Sequence, residues 1–141
     1  MASHVVWALV AMLAYSFVAP FVRQSVTRGL PGFSTLLITS TILLIAAAGV
    51  AVASGDFRWT QLQRPAANSA YLAGGFLSVG IIAYYYALST GPVSVVVPIF
   101  GMFLVLSPVA GYFLLEEALT PRKLAGIALA AVAVYLVVGG D

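Results

Sequence analysis

Apolar residues run along the chain in long blocks, and charged residues mark the joints between them. All ten charged side chains are Arg23, Arg28, Asp56, Arg58, Arg64, Glu116, Glu117, Arg122, Lys123 and Asp141. The blocks between them approach the roughly 20 residues with which a helix crosses about 30 Å of hydrocarbon. Lipid offers backbone groups no hydrogen bonds, so each block is expected to be a helix. The pattern predicts five spans, at about residues 4–22, 31–53, 69–88, 93–115 and 121–138. The polar connector Ser54 to Asn68 interleaves Phe57, Trp59 and Leu62 with Arg58, Gln61 and Arg64, which suits a segment lying among headgroups. Thr90-Gly91-Pro92 reads as a tight turn. Thr120-Pro121 reads as a helix start, with Thr as N-cap and Pro at the first helical position.

Composition agrees. Hydrophobic residues are 62% and charged residues 7% of 141, with a mean hydropathy of +1.10. So few charges cannot solvate the surface of a folded soluble domain, which excludes a soluble globular enzyme. A disordered chain, which needs low hydrophobicity, is excluded as well. The net charge of +2 rests on six basic and four acidic groups, too few to signal nucleic-acid binding. Cysteine is absent, so disulfides and thiol chemistry are not available. Met1-Ala2-Ser3-His4 lacks the basic start of a secretory leader, and the first span is expected to be retained.

Five spans put the termini on opposite sides. The N-terminal side would carry Arg58, Arg64, Arg122 and Lys123, and the other side Arg23 and Arg28. Four against two is a small bias toward a cytoplasmic N-terminus, compatible with one fixed orientation or with insertion both ways up.

Against this frame a few residues stand out. Tyr15 with Ser16, at mid-span, could offer a cavity an aromatic face with hydroxyls, or simply pack. Trp7 reads as an interfacial anchor. Tyr84, Tyr85 and Tyr86 point about 100° apart, so one of them can face a solute path but not all three. Tyr84 is taken as that candidate. Thr39, with Ser40 and Thr41, could donate to a solute or bond back to its own helix. Pro98 removes a backbone donor and frees a carbonyl near Ser94, while Ser107 and Pro108 add a second weak point. Such breaks serve as hinges or binding carbonyls in transporters, and as static kinks elsewhere. Gly126 with Ala130, and Ser107 with Gly111, are small pairs four residues apart that allow close helix approach, and the fifth helix is assigned to packing or dimerisation. Glu116 and Glu117 beside Arg122 and Lys123 read as a solvated turn. No P-loop, HExxH or nucleophile-elbow motif is present, so no enzyme, cofactor or metal is expected.

The stretch from Tyr86 through Thr90-Gly91-Pro92 to Pro98, then Ser107-Pro108, then Leu115-Glu116-Glu117-Ala-Leu-Thr-Pro-Arg-Lys-Leu-Ala-Gly126, resembles an EamA-type domain. That domain is the repeat unit of the drug/metabolite transporter superfamily. Trp7 to Pro20 is similar to the family's first helix. Glu117, Leu119-Thr120 and Gly126 fit its pattern, while Glu116 stands where the family usually has Gly. An Arg common in the family's second helix is missing from Thr35 to Ile45. Related small multidrug-resistance transporters carry an embedded Glu where Tyr15 stands here, which disfavours a proton-for-cation exchanger. No charged side chain is expected well inside any span.

The resemblance implies an all-α integral membrane protein of five transmembrane helices, one EamA-type repeat. Most family members hold two inverted repeats, so a single repeat implies a homodimer of oppositely oriented chains. It implies transport of a small organic metabolite, amino-acid-like or similar, by alternating access, with the bilayer and the solute as partners. The expected solute-binding residues are Tyr15, Ser16, Thr39, Tyr84, Ser94 and Pro98. The expected location is the cell membrane, crossed several times, in a prokaryote. Two alternatives stay open: a lipid-carrier flippase subunit with a different partner, and a non-transporting membrane subunit.

Overall fold

In the computed structural model, which describes residues 3–139, the chain is helical, with no strand among the described residues. The helices are α1 (Ser3–Ser16), α2 (Val18–Thr27), α3 (Gly32–Ala53), α4 (Ala67–Thr90), α5 (Val93–Gly101), α6 (Phe103–Leu115) and α7 (Pro121–Val138). Five helical stretches are long and apolar enough to cross a membrane: His4–Thr27, Gly32–Ala53, Ala67–Thr90, Val93–Leu115 and Pro121–Val138. Among the described residues seven α-helices make five spans because two of the spans are broken.

The first break is at Phe17, whose N–H bonds the carbonyl of Ala14, three residues back. Pro20 has no N–H for the Ser16 carbonyl, and its ring crowds that carbonyl. The second break is at Met102, whose N–H reaches back to Ile99 at 3.1 Å. Pro98 lies inside α5 and Pro108 inside α6, so the interruption falls between the prolines, directly after Gly101.

The chain divides into two compact units, one ending at Thr90 and one beginning at Gly91. In the first, α2 packs on α1, α3 and α4, and α3 packs on α4. Its buried residues, Ala19, Val22, Thr35, Tyr85 and Leu88, all belong to one end of the unit, where α2 and α4 finish and α3 begins. Toward the other end the side chains of residues 4–16, 40–50 and 68–80 are exposed, ready to meet lipid or another protein surface.

Arg23 ties the buried end together. Its Nη1 donates to the carbonyls of Leu88 at 2.9 Å and Ser89 at 3.0 Å, two of the last four carbonyls of α4, which have no partner within their own helix. The first helical stretch continues to Thr27, five residues beyond the expected 22, and so takes in Arg23. Arg23 thus lies near the end of this stretch, four residues before Thr27. The guanidinium is tolerated because carbonyls and the negative end of the α4 dipole receive it. Close approach completes the joint: a Cβ on Gly32 would stand 3.0 Å from the Ser89 Cβ, so glycine lets α3 start this near α4 without Ser89 giving way.

Between α3 and α4, a short 3-10 helix at Trp59–Gln63 interrupts the connector. Phe57 meets Trp59 edge-on at 5.0 Å, and the Tyr71 hydroxyl donates to the Leu62 carbonyl at 2.8 Å, fastening the connector to α4.

In the second unit, α7 packs on both α5 and α6. Thr120 caps α7 by accepting from the Lys123 N–H at 3.3 Å, with Pro121 at the first position, as the sequence predicts. Ser107 and Gly111 of α6 and Gly126 and Ala130 of α7 line one groove of about 580 Å³. Thus the two small-residue pairs face a common space. The Glu117 carboxylate lies over Gly111. Glu116 ends α6 in the left-handed region, at φ 55°. That conformation costs an L-residue roughly 1–2 kcal/mol, and it explains why the resembling family usually has glycine there.

Replacing Arg23 with Leu leaves two helix-end carbonyls without a donor. The expected loss is about 2–3 kcal/mol, read as a lower midpoint of thermal unfolding in detergent. Arg23→Lys should recover part of it, since an ammonium also donates to carbonyls but lacks the rigid fork.

Candidate functional site

A cavity of about 510 Å³ lies within the first unit, bordered by the break between α1 and α2 and by α3 and α4. Tyr15, Phe17 and Phe21 give it aromatic walls, and Ser25, Thr39, Ser40 and Tyr85 bring hydroxyls. It sits beside the buried end: Val22, Thr35 and Tyr85 belong both to its lining and to the core. The residues that anchor the helices therefore also form its floor.

The polar centre of the cavity is a bond between helices. The Thr39 Oγ1 is 2.9 Å from the Tyr85 hydroxyl, and also lies 3.1 Å and 3.0 Å from the Thr35 and Leu36 carbonyls of its own helix. A threonine hydroxyl has one proton. With that proton given to its own helix, Thr39 accepts from Tyr85. The Tyr85 oxygen then keeps its lone pairs free to accept. Tyr85 is only 3% exposed, so its position is held firmly.

The expected solute residues do not form one cluster. The structure brings Tyr15 and Thr39 to the same cavity. Ser16 turns away from it, donating to the Met12 carbonyl of its own helix at 2.8 Å. Tyr84 is outside the lining, half-buried, with its ring edge-on to Tyr85 at 6.3 Å. Tyr85, one helical step on, lines the cavity, and Tyr86 stacks on Phe33 at 6.3 Å. Ser94 and Pro98 lie on α5 in the second unit, Ser94 exposed and Pro98 half-buried.

Sequence reasoning missed Tyr85, Phe21 and Ser25 as lining residues. Pro20 was the available signal, because a proline four residues after Ser16 marks where a helix opens and its neighbours become free to line a cavity. The lining otherwise carries no charged side chain and no group of metal-binding type. Among the described residues no three His, Cys, Asp or Glu side chains gather as a metal site would require.

Thr39→Val should destabilise more than Tyr85→Phe. The first strands a buried phenol donor, whereas after the second Thr39 still bonds its own helix. A difference of about 1 kcal/mol is expected between them, near the size of hydrogen bonds between membrane helices. Thermal unfolding of the two purified variants in the same detergent checks it.

A five-span helical architecture, two broken spans and a cavity at one of the breaks are features of membrane transport proteins. No curated protein and no solved structure matches the chain. A family model, that of the EamA-like transporter family, matches residues 2–139, nearly the whole length. The chain is a multi-pass membrane protein belonging to the EamA-like transporter family.

Proposed function

We propose that this protein moves a small organic metabolite across the cell membrane of a prokaryote by alternating access, as a homodimer of oppositely oriented chains. The observation that carries the reading is the cavity at the Phe17 break, lined by aromatic rings and hydroxyls and floored by the anchored ends of α2, α3 and α4. A discontinuous helix at a cavity is how transporters present backbone groups to a solute inside the membrane. Tyr15 and Thr39 are its solute-facing residues, with Tyr85 between them. Ser94 and Pro98, within the second broken span, serve the conformational change.

Pairing in opposite orientation is supported by the small charge bias. The four basic residues of one side, Arg58, Arg64, Arg122 and Lys123, outnumber Arg23 and Arg28 by only two. Two antiparallel copies recreate the inverted symmetry on which alternating access relies.

Proteoliposomes holding the purified protein should take up or exchange at least one member of a broad metabolite panel faster than protein-free vesicles. Uptake no faster than the background for every member sinks the proposal. For orientation, a reporter active only in the cytoplasm and another active only outside are each fused to the C-terminus. Both should be active in the parent chain, and an added Lys beside Asp141 should swing the balance. Activity of the outside reporter alone means a fixed orientation and overturns the self-paired dimer.

A further inference from the structure

We propose that the cavity of the first unit receives an uncharged, planar, polar solute: a ring bearing both N–H donors and carbonyl acceptors, as a nucleobase does. This rests on the transport reading and names its substrate class.

The charge of the solute follows from the walls. Every lining side chain is apolar, aromatic or hydroxyl-bearing, and none carries a formal charge. An ion entering such a site gives up its hydration without gaining a counter-ion, which is costly at low dielectric. The remedy is not close at hand on the same helices. Neither α3 nor α4 contains an Asp, Glu, Lys, Arg or His. Arg23, the charged side chain of α2, is outside the lining and donates to the Leu88 and Ser89 carbonyls. An amino-acid zwitterion would bring two full charges to walls whose side chains offer neither a counter-charge, so the amino-acid-like solute is the less suited one.

Shape and polarity follow from the same residues. Tyr15, Phe17 and Phe21 supply flat apolar surfaces against which a flat ring stacks. The Tyr85 oxygen, having given its proton to Thr39, is an acceptor suited to a ring N–H. The hydroxyls of Ser25 and Ser40 can donate to ring carbonyls. A volume of about 510 Å³ falls among ordinary small-molecule pockets.

The test uses three probes that share one ring and differ in charge: uracil, orotate (uracil with a carboxylate) and 5-aminomethyluracil (uracil with an ammonium). Equilibrium dialysis against the purified full chain should show uracil binding about tenfold more tightly than either charged analogue. Tyr85→Phe, which removes the acceptor, should weaken uracil several-fold. Uracil flux into proteoliposomes should carry no current and ignore an imposed potential. Equal or tighter binding of orotate or 5-aminomethyluracil, or no binding of uracil by folded protein, overturns the assignment. Uracil binding without flux supports the solute class while counting against transport. Flux of a charged metabolite through protein that does not bind uracil overturns the class and leaves transport standing.

Discussion

A helix that ends inside or beside hydrocarbon has carbonyls that nothing in its own ladder can satisfy, and in this protein Arg23 answers that need for α4. One guanidinium nitrogen meets two carbonyls, Leu88 and Ser89, across more than sixty residues of sequence. Much of the first unit depends on this contact. It draws the end of α2 onto the end of α4, beside Leu88, whose side chain is wholly buried. Gly32 then allows α3 to enter the same joint. Van der Waals packing drives association in lipid more than hydrophobic burial does, so a charged contact between helix ends is a natural place for such a joint to form.

Because the joint is at one end, the unit is unequal along its length. The anchored end is tight, and the side chains farther along are exposed. The cavity lies where the one gives way to the other. Its floor is therefore stiff and its upper walls, built from α1 and the middle of α3, are less confined. The same inequality places the Thr39–Tyr85 bond just above the floor, where a buried phenol is held in a defined direction.

Much of the architecture was legible in the sequence because lipid imposes a simple rule: long, uncharged stretches must be helices. Charges therefore located most of the joints, Gly91-Pro92 located the uncharged one, and the Thr120-Pro121 cap of α7 could be read by its chemistry alone. The site was far less legible. A water-soluble helix announces its inner face by polarity, but α3 and α4 are apolar all round, since lipid and protein interior ask for similar side chains. Nothing in Tyr84-Tyr85-Tyr86 told which ring points inward. Ser16 and Thr39 both had hydroxyls able to bond back to their own helices; Ser16 does only this, whereas Thr39 also accepts from across the gap. Arg23 was read as a loop charge because its partners are backbone carbonyls, which leave no mark in a sequence.

The Phe17 break has a mechanical consequence. In an unbroken helix, bending means stretching hydrogen bonds that lipid cannot replace. Between Ser16 and Pro20 that bond does not exist, so the resistance to bending there is only that of backbone torsions and side-chain friction. The segment beyond the break is fastened by Arg23 to the floor, whereas α1 before it has no buried side chain from His4 to Ser16. The chain thus has the parts of a lever: a clamped arm, a soft elbow and a free arm, with Tyr15 carried on the moving side of the elbow and Tyr85 on the clamped side.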